Sequence, residues 1–347
     1  MKNALYYHDL ADFVLTELAS KGRTVRPQEL TTPTRQKILD CFNDAGWIET
    51  FEGTRPFRRS FCQKDNSTRI QMVDGKLYRH PPATDLIAKR KDLTRRFLEA
   101  KGVPVPIGAD FALDEVNAAK LYFQGLGKTA VTKPSNLGGS RGVTVGIESD
   151  DEFVQGWLKA SKTSGANRIL VEEHIRGIEL RLFVVGNLVA AAAARIQPFV
   201  VGDGKSTVTE LIDIENRFRS RNFRHRKHPI KPDKMFLRSQ GYDVSTRLPR
   251  NQVAFLNPLT IFRAGAISVE VSDLLSAEVK SIAIQAKNAI PNLEIAGIDV
   301  LMENIRDVRT ARVLEVNTAP AIDLHRFPSI GQPVELPEIM VRYFSQN

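Results

Sequence analysis

Residues 133–143 read Lys-Pro-Ser-Asn-Leu-Gly-Gly-Ser-Arg-Gly-Val, and their flanks restrict the fold more than any other stretch. Thr129-Ala130-Val131-Thr132 ahead of them and Val143-Thr144-Val145-Gly146-Ile147 behind them both read as strands. Glycines let a backbone come close to a ligand, and successive N–H groups can form an anion-binding concavity. No Gly-Lys-[Ser/Thr] follows the glycines, and a strand comes next where a helix would be needed. Those two facts exclude the Walker A loop and the dinucleotide fingerprint. A β-hairpin with Lys133 at its base remains, either an ordinary turn or a flap that closes over phosphates.

From Lys89 onward helices and strands alternate, as in a mixed α+β protein. Asp92 to Ala100 reads as a helix stopped by Gly102 and Pro104. Ser149 with Glu152 and Thr207 with Glu210 are capping boxes, opening helices through Ala160 and Asn216. Leu180 to Val185 pairs with Leu188 to Ala194 across Gly186-Asn187, and a helix over 276–290 leads into strands at 294–302 and 311–317. Residues 1–84 differ. Leu10, Phe13, Val14 and Leu18 have helical spacing, Thr34 to Phe42 repeats it, and short strands follow at 47–51 and 70–73. That order outlines a small α+β module, winged-helix-like in its sequence of elements.

The 347 residues are 42% apolar and 26% charged, ordinary for a globular chain. No window approaches the ~18 consecutive apolar residues of a membrane span. The N-terminus reaches Asp9 too early for a secretory signal, and Cys41 and Cys62 make no disulfide framework, so a cytoplasmic location is expected. The formal net charge is +9, densest at 217–234, where eight Arg/Lys and two His fall within eighteen residues. Such a balance suits nucleic acid, polyphosphate or carboxylate ligands.

Further chemistry lies toward the C-terminus. If the strands holding Asp299 and Leu314-Glu315-Val316-Asn317 are antiparallel neighbours, Asp299, Glu315 and Asn317 point to one face. Two carboxylates and an amide oxygen are hard ligands of the kind Mg²⁺ accepts beside phosphate oxygens. Between the loop and these strands, Leu170 to Glu179 is an apolar strand entering a hinge. A hinge backbone can read an adenine edge, and Glu179 can accept from ribose hydroxyls.

In order along the chain, Lys91, Lys133 with its glycine flap, Glu172 to Glu179, Asp299 and Glu315-Val316-Asn317 resemble the ATP-grasp superfamily over residues 85–345. Arg195-Ile-Gln-Pro-Phe-Val-Val-Gly-Asp-Gly-Lys-Ser-Thr207, with Glu210 and Asn216, is similar to the ATP-grasp region of cyanophycin synthetases and bifunctional glutathione synthetases. Arg221 and His225 fall where that group has a basic segment, and Pro320, His325 and Pro328 resemble its C-terminal turn. The chain departs from the group at Ile261-Phe-Arg-Ala-Gly-Ala266, where the group has Asn-Leu-Ser-Thr-Gly-Gly, so a shared substrate pair does not follow.

The resemblance implies an α+β ATP-grasp fold over 85–347, with two subdomains gripping ATP. The small subdomain is expected at 115–176, the C-terminal one at 177–347, and a basic insertion at 217–270. It implies a carboxylate–amine ligase working through an acyl phosphate, with ATP and one or two Mg²⁺ ions, or Mn²⁺ in their place. By position, Lys91, Lys133, Ser135, Gly138, Gly139, Ser140 and Gly142 hold phosphates. Glu172, Glu173 and the Ile175 backbone read adenine, Glu179 holds ribose, and Asp299, Glu315 and Asn317 hold metal. Arg181 and Arg195 act on the γ-phosphate and the acyl phosphate, and His325 orients or deprotonates the amine. Arg221, His225 and Arg263 bind a substrate carboxylate. The implied partners are a small-molecule carboxylate and amine, each an amino acid or peptide. A homodimer is compatible, a membrane is not, and nucleic acid is disfavoured. The competing reading is a nucleotide-gated binding protein whose residues 1–84 recognise nucleic acid or a leader peptide.

Overall fold

The computed structural model describes residues 2–18, 21–27, 31–54, 59–65 and 69–346, with the backbone alone for residues 2–8. Helices α1 (Lys2–Glu17) and α2 (Thr34–Asp44) lead into an antiparallel meander paired in chain order: β1 (Ile48–Glu52), β2 (Arg59–Gln63), β3 (Arg69–Val73) and β4 (Lys76–Tyr78). Only β1 and β3 are legible in the sequence, because β4 is three residues long and polar residues interrupt the alternation in β2.

The described residues of 1–84 do not close on themselves as a winged-helix-like module. Leu10, Phe13, Val14 and Leu18 of α1 join a core with Leu180, Leu182 and Val184. Ile38, Leu39 and Phe42 of α2, with Trp47, Cys62, Ile70 and Met72, join another with Phe183 and Val185. Consecutive residues of a strand point to opposite faces, so α1 and α2 lie on opposite sides of one sheet. An amphipathic stripe announces that a helix face is buried, not against what. The reading in which residues 1–84 serve as a separate nucleic-acid or leader-peptide reader therefore has no separate body behind it.

Helices α3 (Pro82–Lys89) and α4 (Lys91–Glu99) lead to a second sheet of β5 (Gly108–Ala112), β6 (Ala130–Pro134), β7 (Thr144–Ile147) and β8 (Arg168–Glu173), in the order β5-β8-β6-β7. On it, α5 (Val116–Leu126) and α6 (Asp150–Ser161) bury Phe123, Phe153 and Trp157 against Ile147, Ile169 and Val171. The Ser149–Glu152 capping box forms in both directions. Because Gly108 of β5 pairs with Glu172 of β8, this sheet starts ahead of residue 115.

The expected hairpin is β9 (Ile178–Val185) with β10 (Leu188–Ile196). Next, β11 (Phe199–Val201) and β12 (Val253–Phe255) form a ribbon that shares a small core with α7 (Val208–Ser220) and α8 (Lys234–Ser239). With β13 (Ile267–Glu270), β14 (Ile295–Met302) and β15 (Arg312–Asn317), the large sheet is antiparallel in the order β13-β10-β9-β14-β15. Helix α9 (Ala277–Ala289), capped by Ser276, packs on the α1 side, and α10 (Asp323–Arg326) and α11 (Leu336–Gln346) lie on the other. Among the described residues no helix is long and apolar enough to cross a membrane. Cys41 and Cys62 are both free, and burial pushes the Cys62 thiol up to about 12.

Candidate active site

A cleft of 580 Å³ opens between the two sheets, within the size range of small-molecule sites. Val131, Lys133 and Val145 line it from the small sheet, residues 174–178 from the hinge, and Arg195, Leu301 and Leu314 from the large sheet. Leu10 of α1 reaches it as well.

Strand register gathers the polar groups. Arg181 lies opposite Asp299, which lies opposite Glu315, and Arg195 lies opposite Glu179. With the period of two, Glu179, Arg181, Arg195, Asp299, Glu315 and Asn317 therefore share one face of the large sheet. Arg181 grips both Asp299 oxygens, Nη2 donating to Oδ2 at 2.7 Å and Nε to Oδ1. Arg195 Nη2 lies 2.5 Å from Glu179 Oε1 and 3.1 Å from Asp299 Oδ2, and Asn317 Nδ2 donates to Asp299 Oδ2 at 3.4 Å. Burial alone would raise the Asp299 carboxyl, but Arg181 and Arg195 hold it below the usual carboxylate range. Burial pushes Glu179 the other way despite Arg195. Gly297 provides the room: a Cβ there would lie 3.0 Å from Arg181 Cδ and 2.7 Å from Pro320 Cβ. Glu315 is half-buried and makes no ion pair among the described residues.

Across the cleft, Lys133 pairs with Glu172 and Lys128 with Glu173, whose Oε1 also accepts from Ile107 N at 2.9 Å. Lys91 starts α4 and donates from Nζ to Leu137 O at 2.7 Å; burial lowers its pKa. Ser140, at φ 57°, lines the cleft, and Gly138 and Gly139 are exposed. Ser135 is placed differently from expectation. It is fully buried, its N–H donating to Arg168 O at 3.0 Å and its carbonyl accepting from Lys91 N at 2.8 Å, so it braces the flap's base.

The two histidines do not stand where a ligand could meet them. His225 is buried away from the cleft, its Nε2–H donating to Phe327 O at 2.8 Å, and burial lowers its pKa to about 3. A neutral ring tied to a carbonyl cannot supply charge to a substrate carboxylate. His325 is fully buried with its ring 5.8 Å from Phe183; burial, then Arg181 and Arg195, bring its pKa to about 3. It stands behind Arg181, not beside a reacting amine. Arg221 and Arg263 are exposed and remain available.

Two further residues belong to the site. Thr260 Oγ1 donates to Glu179 Oε2 at 3.1 Å, and Gln197, lining the cleft, donates to Pro258 O at 3.1 Å and leaves its buried Oε1 without a partner. Gln197 falls within the Arg195–Thr207 stretch singled out in the sequence, but no local pattern gives it or Thr260 a role, because each acts through a contact dozens of residues away.

No family model matches the chain. The glutathione biosynthesis bifunctional protein GshAB of Enterococcus faecalis is 31% identical to it over 260 residues, which cover 71% of this chain and 34% of that protein. Cyanophycin synthetase of Synechocystis sp. is 31% identical over 284 residues, covering 79% of this chain and 32% of that protein. The crystal structure of a bifunctional glutathione synthetase from Pasteurella multocida matches with a TM-score of 0.63 at 20% identity, over 90% of this chain and 43% of that one. This chain spans about a third of the length of the curated relatives it matches. With the two sheets, the flap and the shared polar face, these likenesses make it a member of the ATP-grasp superfamily.

Proposed function

We propose that the chain is an ATP-dependent carboxylate–amine ligase acting on amino acids or small peptides. The observation that supports this most is the single sheet face bearing Glu179, Arg181, Arg195, Asp299, Glu315 and Asn317 across the cleft from Lys133. Lys91 and Lys133 hold the phosphates, the flap from Gly138 to Gly142 covers them, the Ile175 backbone reads adenine, and Glu179 takes the ribose hydroxyls. For the last step Glu179 exchanges its bonds from Arg195 and Thr260 for those hydroxyls, leaving Arg195 to turn toward the γ-phosphate.

The donors suit one or two Mg²⁺ ions. Among the described residues no cluster of three or more His, Cys, Asp or Glu side chains could hold a metal alone. Asp299, Glu315 and Asn317 offer two carboxylates and an amide oxygen, a set that phosphate oxygens complete. Bound there, the metal supplies neutralisation of charge on the transferring phosphoryl group. In the reaction a substrate carboxylate oxygen attacks the γ-phosphorus and ADP leaves with the broken bond's electrons. An amine then attacks the acyl carbon, phosphate leaves, and the amine gives its proton to solvent or to the departing phosphate. Arg181 and Arg195 place fixed positive charge where negative charge develops.

The test is phosphate release from ATP across pairs of acids and amines, with the products identified by mass spectrometry. Release that needs both partners supports the reading. Release without either partner, or unchanged activity in Asp299→Ala/Glu315→Ala, refutes it.

A further inference from the structure

Positive charge without a counter-ion is dense along residues 217–231, and Arg263 joins that segment at His228. Arg217, Arg221, Arg226, Lys227, Lys231 and Arg263 are exposed, and none makes an ion pair among the described residues. Arg217 and Arg221, four residues apart, share a face at the end of α7. From the other side of that turn Arg219 reaches His228, whose imidazole pKa is lowered by burial and then by the field of Arg224, Arg219, Arg263 and Lys227.

This surface is held in shape. Arg219 is buried and donates to His228 O at 2.8 Å and 3.0 Å, and Asn222 Nδ2 donates to Pro328 O at 3.1 Å. Asn216 and Ile230 exchange bonds of 2.7 Å and 3.1 Å. A merely solvated loop needs no buried arginine to fix its path, whereas cations fixed in advance lose less freedom when a partner binds.

It is also tied to the cleft at Thr260 and to the short helix behind Arg181. Thr260, three residues before Arg263, bonds to Glu179, and Arg224 pairs at 3.2 Å with Asp323, which opens the short helix carrying His325. The aromatic rings of the surface are already covered. Arg224 sits 5.2 Å over Phe262, with His225 and His228 each 4.9 Å away, and Arg226 lies 5.6 Å over Phe223. Single-stranded nucleic acid gains affinity from bare aromatic faces on which its bases stack. Carboxylates need only the exposed guanidinium edges and ammonium groups, to which they bond with charge assistance.

We propose that this surface docks an acidic peptide segment and presents it to the cleft as a substrate, the second half resting on the ligase reading. The experiment is fluorescence anisotropy on the full chain with three labelled probes: a decapeptide of Asp and Glu, a Ser/Gly decapeptide, and a single-stranded DNA decamer. The acidic peptide is expected to bind in a salt-sensitive way and the neutral one not at all, with the DNA weaker than the acidic peptide. In Arg217→Glu/Arg226→Glu/Lys227→Glu, acidic-peptide affinity should fall by about tenfold or more, while Tm and ATP affinity stay those of the parent. Parent-like peptide affinity in that folded variant, tighter DNA binding, or no acidic-peptide binding overturns the proposal. No peptide binding beside phosphate release with free amino acids removes the docking surface and leaves the ligase reading standing. Peptide binding without release from any acid–amine pair keeps the surface and removes the ligase reading.

Discussion

Arg181 and Asp299 stand directly opposite each other on neighbouring strands and meet edge to edge, both carboxylate oxygens accepting from the one guanidinium. The proposed metal ligand is thus already engaged in the free protein, and Arg195 adds a second cation to it. A metal ion must compete with two arginines until nucleotide phosphates draw them away. Mn²⁺ is therefore expected to bind weakly alone and about tenfold or more tighter with a non-hydrolysable ATP analogue, since a close charge pair couples by several kcal/mol. Electron paramagnetic resonance titration measures both affinities; equal values would contradict this coupling, and Asp299→Ala should abolish it.

The same pair makes a stability prediction. In Arg181→Leu the buried Asp299 keeps Arg195 as its one charged partner among the described residues, beside the long bond from Asn317, and stability should fall by about 3 kcal/mol in urea denaturation. Arg181→Leu/Asp299→Leu, which removes both charges, should be more stable than Arg181→Leu. The reverse order would show that the pair is not the determinant.

The flap offers a contrast between two glycines. At Gly142, φ is 72° and a Cβ would lie 2.5 Å from Thr163 Oγ1 and 2.9 Å from Pro134 Cγ, whereas at Gly138 a Cβ meets open space. Gly142→Ala strains the backbone by about 1–2 kcal/mol and displaces the flap, so KM for ATP should rise, with Gly138→Ala near the parent. Similar KM values in the two variants would count against a defined flap conformation.

His225 and His325 set an acid limit on stability. Both have folded pKa values of about 3, below the 6.5 of a free imidazole. Between about pH 6.5 and pH 3 the unfolded chain binds protons that the native state refuses, so stability falls as pH drops through that window and their contribution is intact above it. Each histidine contributes a slope of at most about 1.4 kcal/mol per pH unit. His325→Phe should remove one histidine's share of that slope in urea titrations across the window; an unchanged slope would mean the ring is not held neutral.

The legible parts of this chain are those in which local periodicity decides the outcome. The β9–β10 hairpin and both capping boxes follow from spacing alone, and the shared face of Asp299, Glu315 and Asn317 follows once their strands pair antiparallel. What escaped depends on which distant surface a residue meets. Thr260 and Gln197 join the site through contacts made 81 and 61 residues away, and Ser135 is drawn inward by Lys91 and Arg168. His225 and His325 read as chemical groups in the sequence because it names a titratable ring without saying how much water reaches it.

Helices α1 and α2, on opposite faces of the large sheet, decide where this chain can be cut. A fragment beginning at residue 85 keeps every residue that resembles a ligase motif, yet loses Leu10, Phe13 and Val14 from the core that holds Leu182, and Phe42 and Trp47 from the core that α11 shares with Phe183. Such a fragment is expected to aggregate, and with Leu10 gone its cleft also lacks part of one wall. The stretch that looks like a detachable prefix in the sequence contributes, in the folded molecule, to the cores on both faces of the large sheet.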